Sequence, residues 1–149
     1  AIANLNCPDQ IVISGTEKAI EEAQPHFEAS KCRRYIKLNV TGAFHSPQMQ
    51  NAADEFASFV AQQELKPLKA VVISNVTSRP YKQDEVASLL IKQMTSSVRW
   101  TESILHLNKD CGVEKFIEVG PGTVLQKLVA KILGREPPAP TRRVALKRK

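Results

Sequence analysis

Short runs of β-branched and apolar residues alternate with segments of helical periodicity along most of this sequence. Such alternation predicts an α/β fold in which helices flank a parallel sheet. The run Ala70-Val71-Val72-Ile73 is typical of a strand that is buried on both faces. The predicted strands are 1–5, 10–14, 34–40, 69–74 and 115–119, and the predicted helices are 18–30, 46–60, 84–95, 98–109 and a last one from about residue 123.

Two of the predicted helices carry clear start signals. Thr16 precedes the first helix and is a favoured N-cap residue. Ser46-Pro47 combines an N-cap serine with a proline at the first helical position. Pro25 interrupts the first helix and is expected to bend or split it.

The positive charge of the chain is concentrated at one end. The 149 residues carry a net charge of +6, but six basic residues and a single acid lie in 135–149. The remainder is therefore almost neutral, which argues against a nucleic-acid-binding surface on the folded body. With its three prolines, this tail is expected to be a solvated linker, with a partner-docking or nucleic-acid arm as the alternative.

The composition also bears on the cellular compartment. No apolar run approaches the length of a membrane span, and the first residues lack the basic region of an export signal. The cysteines, Cys7, Cys32 and Cys111, form neither a close pair nor a zinc-binding pattern. We therefore expect reduced thiols in a cytoplasmic protein without a metal site.

His45 is the strongest single candidate for chemistry. It follows a predicted strand and precedes a helix, where an open α/β sheet places its functional groups. A histidine there is either a general base or a surface or structural residue, and the bare motif does not decide between them. His26 and His106 lie within predicted helices and are expected to be partly exposed.

Other candidates are weaker. Gly120-Pro121-Gly122 follows a strand and forms either a simple tight turn or a loop that presents amide groups to an anion. Asn75 follows a buried strand and could face a cleft, whereas Gln93 is either exposed or functional. No serine lies in a Gly-x-Ser-x-Gly nucleophile elbow, so a histidine base has no obvious nucleophile in this sequence.

Taken together, five ordered motifs resemble the family of malonyl-CoA:acyl-carrier-protein transacylases and polyketide synthase acyltransferase domains. The resemblance covers residues 1 to about 134 and corresponds to the C-terminal half of such an enzyme. The motifs are Asn4 to Gly15, Gly42-Ala43-Phe44-His45-Ser46, Val72 to Thr77, Gln93 to Trp100 and Phe116 to Leu125.

The resemblance implies an acyl transfer that passes through a seryl ester. A serine would take malonyl from coenzyme A and give it to the phosphopantetheine thiol of acyl carrier protein, with no further cofactor. His45 would be the general base, and the main-chain carbonyl of Gln93 would orient it in place of a triad carboxylate. Phe44 would favour malonyl over methylmalonyl by removing room for an α-methyl group, and Asn75 would contact substrate.

The resemblance also implies how the chain is divided. Residues 1–40 would be the remainder of a small ferredoxin-like subdomain, 41–134 part of an α/β-hydrolase-like acyltransferase core, and 135–149 the Pro-rich basic tail. The serine would come from a missing N-terminal half or another synthase module, so this chain alone is expected to be inactive. The pathway would be fatty-acid or polyketide biosynthesis. The alternative is a non-catalytic module that docks acyl carrier protein or a synthase partner.

Overall fold

The computed structural model describes residues 1–136, and the predictions for the tail beyond them lie outside the described residues. Residues 1–136 contain one β-hairpin, and the rest of this range consists of helices and irregular segments. No helix of the described range is long and apolar enough to cross a membrane. The elements are β1 (Ile2–Cys7), β2 (Gln10–Ile13), α1 (Glu17–Glu28), a 3₁₀ turn (Pro47–Met49), α2 (Gln50–Val60), a second 3₁₀ turn (Gln83–Glu85), α3 (Val86–Lys92), α4 (Trp100–Leu105), a π-helical turn (His106–Asp110) and α5 (Val124–Leu133).

The two predicted N-terminal strands are present and form an antiparallel hairpin. β1 and β2 pair antiparallel, with Ile2 opposite Ile13 and Leu5 opposite Ile11. The outer edge of β1 also meets the segment that leads into α4. Val98 accepts a hydrogen bond from the amide of Leu5 at 2.9 Å and donates one to the carbonyl of Ala3 at 2.8 Å. This single parallel bridge anchors the hairpin to residues far along the chain.

The predicted helix starts are confirmed. The Oγ1 of Thr16 accepts a hydrogen bond from the amide of Ala19 at 3.2 Å, capping α1. Ser46 caps the 3₁₀ turn that opens α2, and Pro47 is its first residue. The expected break at Pro25 is absent, because α1 runs without interruption through this residue.

The core of the described chain lies where short elements from both ends of the sequence meet. β1 packs against α4 and α5, α4 packs against α5, and α2 packs against α3. Ile104 of α4 is the largest fully buried side chain, with 2% of its surface exposed. Burial of such aliphatic side chains is the main source of stability for this small core. The other buried hydrophobic residues are Ala3, Cys7, Ala53, Val60, Val86, Leu89, Leu128, Val129 and Ala130.

The predicted parallel sheet is not formed within residues 1–136. Segments 34–40, 69–74 and 115–119 belong to no helix or strand, and none of them forms a ladder with a neighbouring strand. Only Ile73 makes an isolated antiparallel bridge, to Pro80. Two backbone hydrogen bonds accompany this bridge, from the amide of Tyr81 to the carbonyl of Val72 at 3.0 Å and from the amide of Ser74 to the carbonyl of Arg79 at 2.9 Å. A sheet needs a longer run of paired amide and carbonyl groups than these.

The side chains of these segments show the same departure from expectation. Val71 is 77% exposed, although the apolar run that contains it predicts burial. In the predicted strand 115–119, Ile117 is 71% exposed and Val119 is 95% exposed. The mixed helix and strand content that the sequence predicts is present. Within residues 1–40, which the resemblance assigns to a ferredoxin-like subdomain, the structure contains β1, β2 and α1 but no strand at 34–40.

The later helices are shorter than predicted. α3 covers the middle of predicted helix 84–95, with a 3₁₀ turn before it. Predicted helix 98–109 begins at Trp100 as α4 and widens into the π-helical turn at His106. Both changes move the helix ends, where a backbone carbonyl or amide is left free for another partner.

Candidate active site

A tight loop holds His45 between an extended segment and the first turn of α2. His45 has a φ of 59°, a left-handed conformation that is uncommon for residues other than glycine. The next residue, Ser46, is completely buried, and its Oγ lies 2.6 Å from the carbonyl oxygen of Ala43. The buried serine and Pro47 fix the backbone on the C-terminal side of the histidine. An unusual backbone conformation held by its surroundings is common at functional sites.

The imidazole of His45 is oriented by a main-chain carbonyl 48 residues further along the chain. Its Nδ1 lies 2.9 Å from the carbonyl oxygen of Gln93. Gln93 is the C-cap of α3, and carbonyl groups in the last turn of a helix have no partner within the helix. Because a carbonyl can only accept, Nδ1 carries the proton and Nε2 is left as the basic nitrogen.

Phe44 lies beside the histidine on the same loop. Its side chain is 47% exposed, and its ring packs near Gly42 and Met49. A Cβ atom at position 42 would lie 3.7 Å from the Phe44 ring and 3.8 Å from the Met49 sulfur. The ring therefore covers the backbone of the loop and leaves part of its surface available to other groups.

Asn75 is placed in a turn that is attached to α4 rather than to His45. Its carbonyl accepts a hydrogen bond from the amide of Arg99 at 3.1 Å, and the residue is half-buried. No hydrogen bond within residues 1–136 joins Asn75 or Phe44 to His45. Of the four candidate site residues, only His45 and Gln93 are linked directly.

Arg99 is a structurally important residue that was not among the predicted site residues. Its Nε donates to the Oε1 of Glu102 at 2.9 Å, and its Nη1 donates to the carbonyl of Val76 at 3.2 Å. Arg99 thereby ties the turn that contains Asn75 to the start of α4. The signal was present in the sequence as an arginine three residues before a glutamate in a predicted helix.

The Arg99–Glu102 pair predicts a specific dependence of stability on pH. The hydrogen bond from Arg99 lowers the pKa of Glu102 below its ordinary value of 4.5, and partial burial opposes this shift. A carboxyl whose pKa is lowered by folding stabilises the folded state above its unfolded pKa, and loses that contribution as pH falls through the folded pKa. We expect Glu102→Gln to reduce the free energy of unfolding at about pH 7 and to have little effect at about pH 3. Urea denaturation of both proteins at the two pH values measures this, and an equal difference at both would contradict it.

The Gly120-Pro121-Gly122 loop is a bent segment between residues 115–119 and α5. Gly120 and Gly122 have φ values of 143° and 125°, which residues with a side chain rarely adopt. The carboxylate of Glu118 accepts a hydrogen bond from the amide of Gln126 at 3.0 Å, in the first turn of α5. One amide that an external anion would need is thus already satisfied by the chain itself.

Two open clefts of about 210 and 250 Å³ in the described chain are lined by other residues. His45 lines neither of them. The candidate site is therefore a half-exposed histidine with a defined tautomer and a neighbouring aromatic ring, able to accept a proton from a group that approaches from outside.

Known proteins share this sequence over most of its length. The family model described as the acyl transferase domain matches residues 1–147. The polyketide biosynthesis protein ThaF of Burkholderia thailandensis is 48% identical over 132 residues, which are 89% of this chain and 11% of that protein. The polyketide biosynthesis malonyl CoA-acyl carrier protein transacylase BaeC of Bacillus velezensis is 46% identical over 132 residues, or 88% of this chain and 45% of that protein.

A solved structure gives the same relationship in three dimensions. The complex of a type II PKS acyl-carrier protein with its malonyl-transacylase contains a chain with a TM-score of 0.86 and 30% identity to this one. The similarity covers 90% of this chain and 43% of that chain. This chain therefore spans less than half the length of each of the three proteins.

Proposed function

The chain belongs to the acyl transferase domain family, and on that premise we propose that it supplies the general base for malonyl transfer from coenzyme A to an acyl carrier protein. The observation that carries the proposal is the 2.9 Å contact between His45 Nδ1 and the Gln93 carbonyl. It leaves Nε2 as a basic nitrogen on an accessible loop. Acyl transfer to a hydroxyl and then to a thiol needs such a base in both steps.

In the first step, His45 Nε2 accepts the proton of a serine hydroxyl as its oxygen attacks the malonyl thioester. The C–S bond then breaks, and the imidazolium returns the proton to the departing coenzyme A sulfur. In the second step, Nε2 takes the proton of the phosphopantetheine thiol, whose sulfur attacks the seryl ester. The serine oxygen leaves and recovers the proton, so the base ends each cycle unchanged.

A main-chain carbonyl suits this double role. Like the carboxylate of a Ser-His-Asp triad, it holds the imidazole in one tautomer and one orientation. It carries no full negative charge, so it stabilises the imidazolium less than a carboxylate does. The histidine can then release its proton readily to either leaving group.

The serine nucleophile must come from residues other than the buried serines of the described chain. Ser46, Ser74, Ser78 and Ser103 are fully or almost fully buried, and each has its Oγ in a hydrogen bond with the backbone. No serine in the sequence has the Gly-x-Ser-x-Gly pattern. The matched region is less than half of each related protein, so a serine-bearing segment belongs either to the same polypeptide or to a partner.

Two exposed stretches of the chain, 69–74 and 115–119, provide a surface on which a serine-bearing segment can dock. Residues 69–74 and 115–119 present apolar side chains to solvent and backbone groups without ladder partners. Strands of a serine-bearing segment would pair with these edges and cover Val71, Ile117 and Val119. This pairing would complete the parallel sheet that the sequence pattern predicts.

Phe44 and the names of the relatives support malonyl as the acyl group. The ring stands next to His45 in the chain and is 47% exposed, so it can limit the space beside the acyl group. A single steric contact of this kind discriminates against an extra methyl group by about 10- to 200-fold. Asn75 is proposed to contact substrate once the site is complete. The protein is proposed to be cytoplasmic.

The partner proposed is an acyl carrier protein of fatty-acid or polyketide biosynthesis. The similar solved structure is a malonyl-transacylase in complex with its acyl-carrier protein, which supports this choice for the present chain. The proposed steps need no cofactor other than the pantetheine groups that carry the thiols of coenzyme A and of the acyl carrier protein.

Complementation tests the proposal. We expect no malonyl transfer by this chain alone, and transfer when it is co-expressed with the serine-bearing N-terminal part of a related transacylase. Carrier-protein malonylation would be followed with purified acyl carrier protein and malonyl-CoA. Binding of the carrier protein without any transfer by the complemented pair would favour a non-catalytic docking module instead.

A further inference from the structure

A second histidine, distant in sequence from the proposed site, is part of a compact group of side chains that the proposed function does not use. The π-helical turn at the end of α4 brings His106, Asp110 and Cys111 together within six residues. The wider turn places the amide of Cys111 3.2 Å from the carbonyl of His106. π-Helical turns are frequent at functional positions, so the position of the group is itself suggestive of a function.

The three side chains stand in the order carboxylate, imidazole, thiol. The Nδ1 of His106 lies 2.7 Å from the Oδ2 of Asp110, and its Nε2 lies 3.6 Å from the Sγ of Cys111. Because the carboxylate accepts, Nδ1 carries a proton and Nε2 is free to accept the thiol proton. A nucleophile, a base and a group that orients the base are the elements of an activated thiol.

The histidine and the cysteine of the group differ in their exposure to solvent. The His106 side chain is only 12% exposed, whereas Cys111 is exposed and can be approached by a reagent. The hydrogen bond from His106 is the main cause that lowers the pKa of Asp110, so this carboxyl stays ionised and holds the imidazole. No group of three or more His, Cys, Asp or Glu in the described chain has the geometry to hold a metal ion.

An open cleft beside His106 places two cationic side chains near the group. It has a volume of about 250 Å³, and its lining includes two cations, Arg79 and Lys109. Glu102 and Asp110 also line it, but the first carboxylate is engaged by Arg99 and the second by His106. The cations and the histidine would attract an anionic reagent toward the edge of the group.

The other two cysteines provide internal references. Cys32 is also exposed, but its Sγ donates to the carbonyl of Arg34 at 3.3 Å, so its proton is held by an acceptor that is not a base. Cys7 is buried, and burial raises the pKa of its thiol above the ordinary value. Within the described chain, only the thiol of Cys111 has an imidazole as its hydrogen-bond partner.

From this arrangement we propose that Cys111 is a thiol–disulfide exchange site for anionic low-molecular-weight disulfides, of which glutathione disulfide is the probe. His106 Nε2 accepts the thiol proton, and the Cys111 sulfur attacks one sulfur of the disulfide. The S–S bond breaks, a mixed disulfide forms at Cys111, and the other half leaves as a thiolate that takes the proton from His106. Cys111 is oxidised and the small disulfide is reduced, so no further reactant is needed.

The test compares the two exposed cysteines in one protein. The full chain is incubated with excess glutathione disulfide, and peptide mapping by mass spectrometry follows modification of Cys111 and Cys32 with time. We expect Cys111 to react at least about tenfold faster, which is below the hundredfold that a well-placed general base can give. Equal rates at the two cysteines would overturn the proposal.

Variants distinguish the effect of the His106 base on the reaction rate from the effect of the exposure of Cys111. His106→Gln is expected to lower the rate of Cys111 modification to that of Cys32. Asp110→Asn is expected to lower this rate partly, and His26→Gln in α1 is expected to leave it unchanged. Lys109→Gln is expected to slow the reaction with glutathione disulfide and to spare that with the uncharged disulfide of 2-mercaptoethanol. If both His106→Gln and Asp110→Asn proteins remain folded by circular dichroism and react at the original rate, His106 has no part in the reaction. None of these readouts depends on acyl transfer, so their failure would not affect the proposed function.

Discussion

The His45→Ala variant, complemented with a serine-bearing segment, is expected to lose malonyl transfer, with kcat/KM lower by at least about a hundredfold. The variant lacks the nitrogen that takes the proton from the serine and later from the pantetheine thiol. Alanine also leaves the Gln93 carbonyl without the donor that now lies 2.9 Å away. The measurement is the initial rate of carrier-protein malonylation at several malonyl-CoA concentrations.

His26 supplies the matched control for this prediction. It is an exposed histidine in the last turn of α1. His26→Ala is therefore expected to leave kcat/KM within about twofold, since surface substitutions away from special features have small effects. Comparable activity of the His45→Ala and unmodified proteins, both complemented and folded, would contradict the assigned role of the base.

Ile104→Ala is expected to cause the largest loss of stability of any single substitution in the described core. Ile104 is 2% exposed and lies on α4, which packs against both β1 and α5. Truncation removes buried methyl and methylene groups and leaves a cavity where three elements meet. The expected loss is about 3 kcal/mol in the free energy of unfolding, within the range measured for Ile→Ala changes in cores. Urea denaturation followed by circular dichroism measures it.

Val124→Ala is the control for that prediction. Val124 begins α5 and is 67% exposed, so its truncation removes little buried surface. We expect its effect to stay within about 0.5 kcal/mol, as is usual for surface positions. Equal losses from the two substitutions would mean that α4 does not occupy the centre of the core.

The local features of the fold could be predicted from the sequence because their causes are local. Thr16 caps α1 through an amide three residues away, and Ser46-Pro47 opens α2 with a capping hydroxyl and a fixed φ. The strands β1 and β2 follow from an apolar segment at residues 1–5 and a β-branched run at residues 10–14. The family resemblance, based on five ordered motifs, is confirmed by the match over residues 1–147.

The sheet could not be predicted in the same way. The apolar run at residues 69–74 encodes a preference for burial, but a strand forms only where another strand offers matching backbone groups. Val71 is instead 77% exposed in the described chain. The bridge between Asn4 and Val98 is a pairing that periodicity could not reveal, because it joins residues 94 positions apart.

The candidate site shows the same division between local and distant causes. The strand-to-helix position of His45 is visible in its own neighbours. Its partner, the Gln93 carbonyl, belongs to the backbone and lies 48 residues away, so residue types alone could not identify it; the family resemblance supplied it. The His106–Asp110 contact, four residues apart on one helical face, was accessible to sequence reasoning through its spacing.

The role assigned to His45 is best tested by finding which polypeptide carries the acyl group. The chain would be purified with a separate serine-bearing segment, incubated with malonyl-CoA and analysed by intact-mass spectrometry. We expect a malonyl adduct on the serine-bearing segment, no adduct on this chain, and loss of the adduct when His45 is replaced by alanine. A malonyl ester on this chain, or an adduct that forms equally fast without His45, would contradict that role.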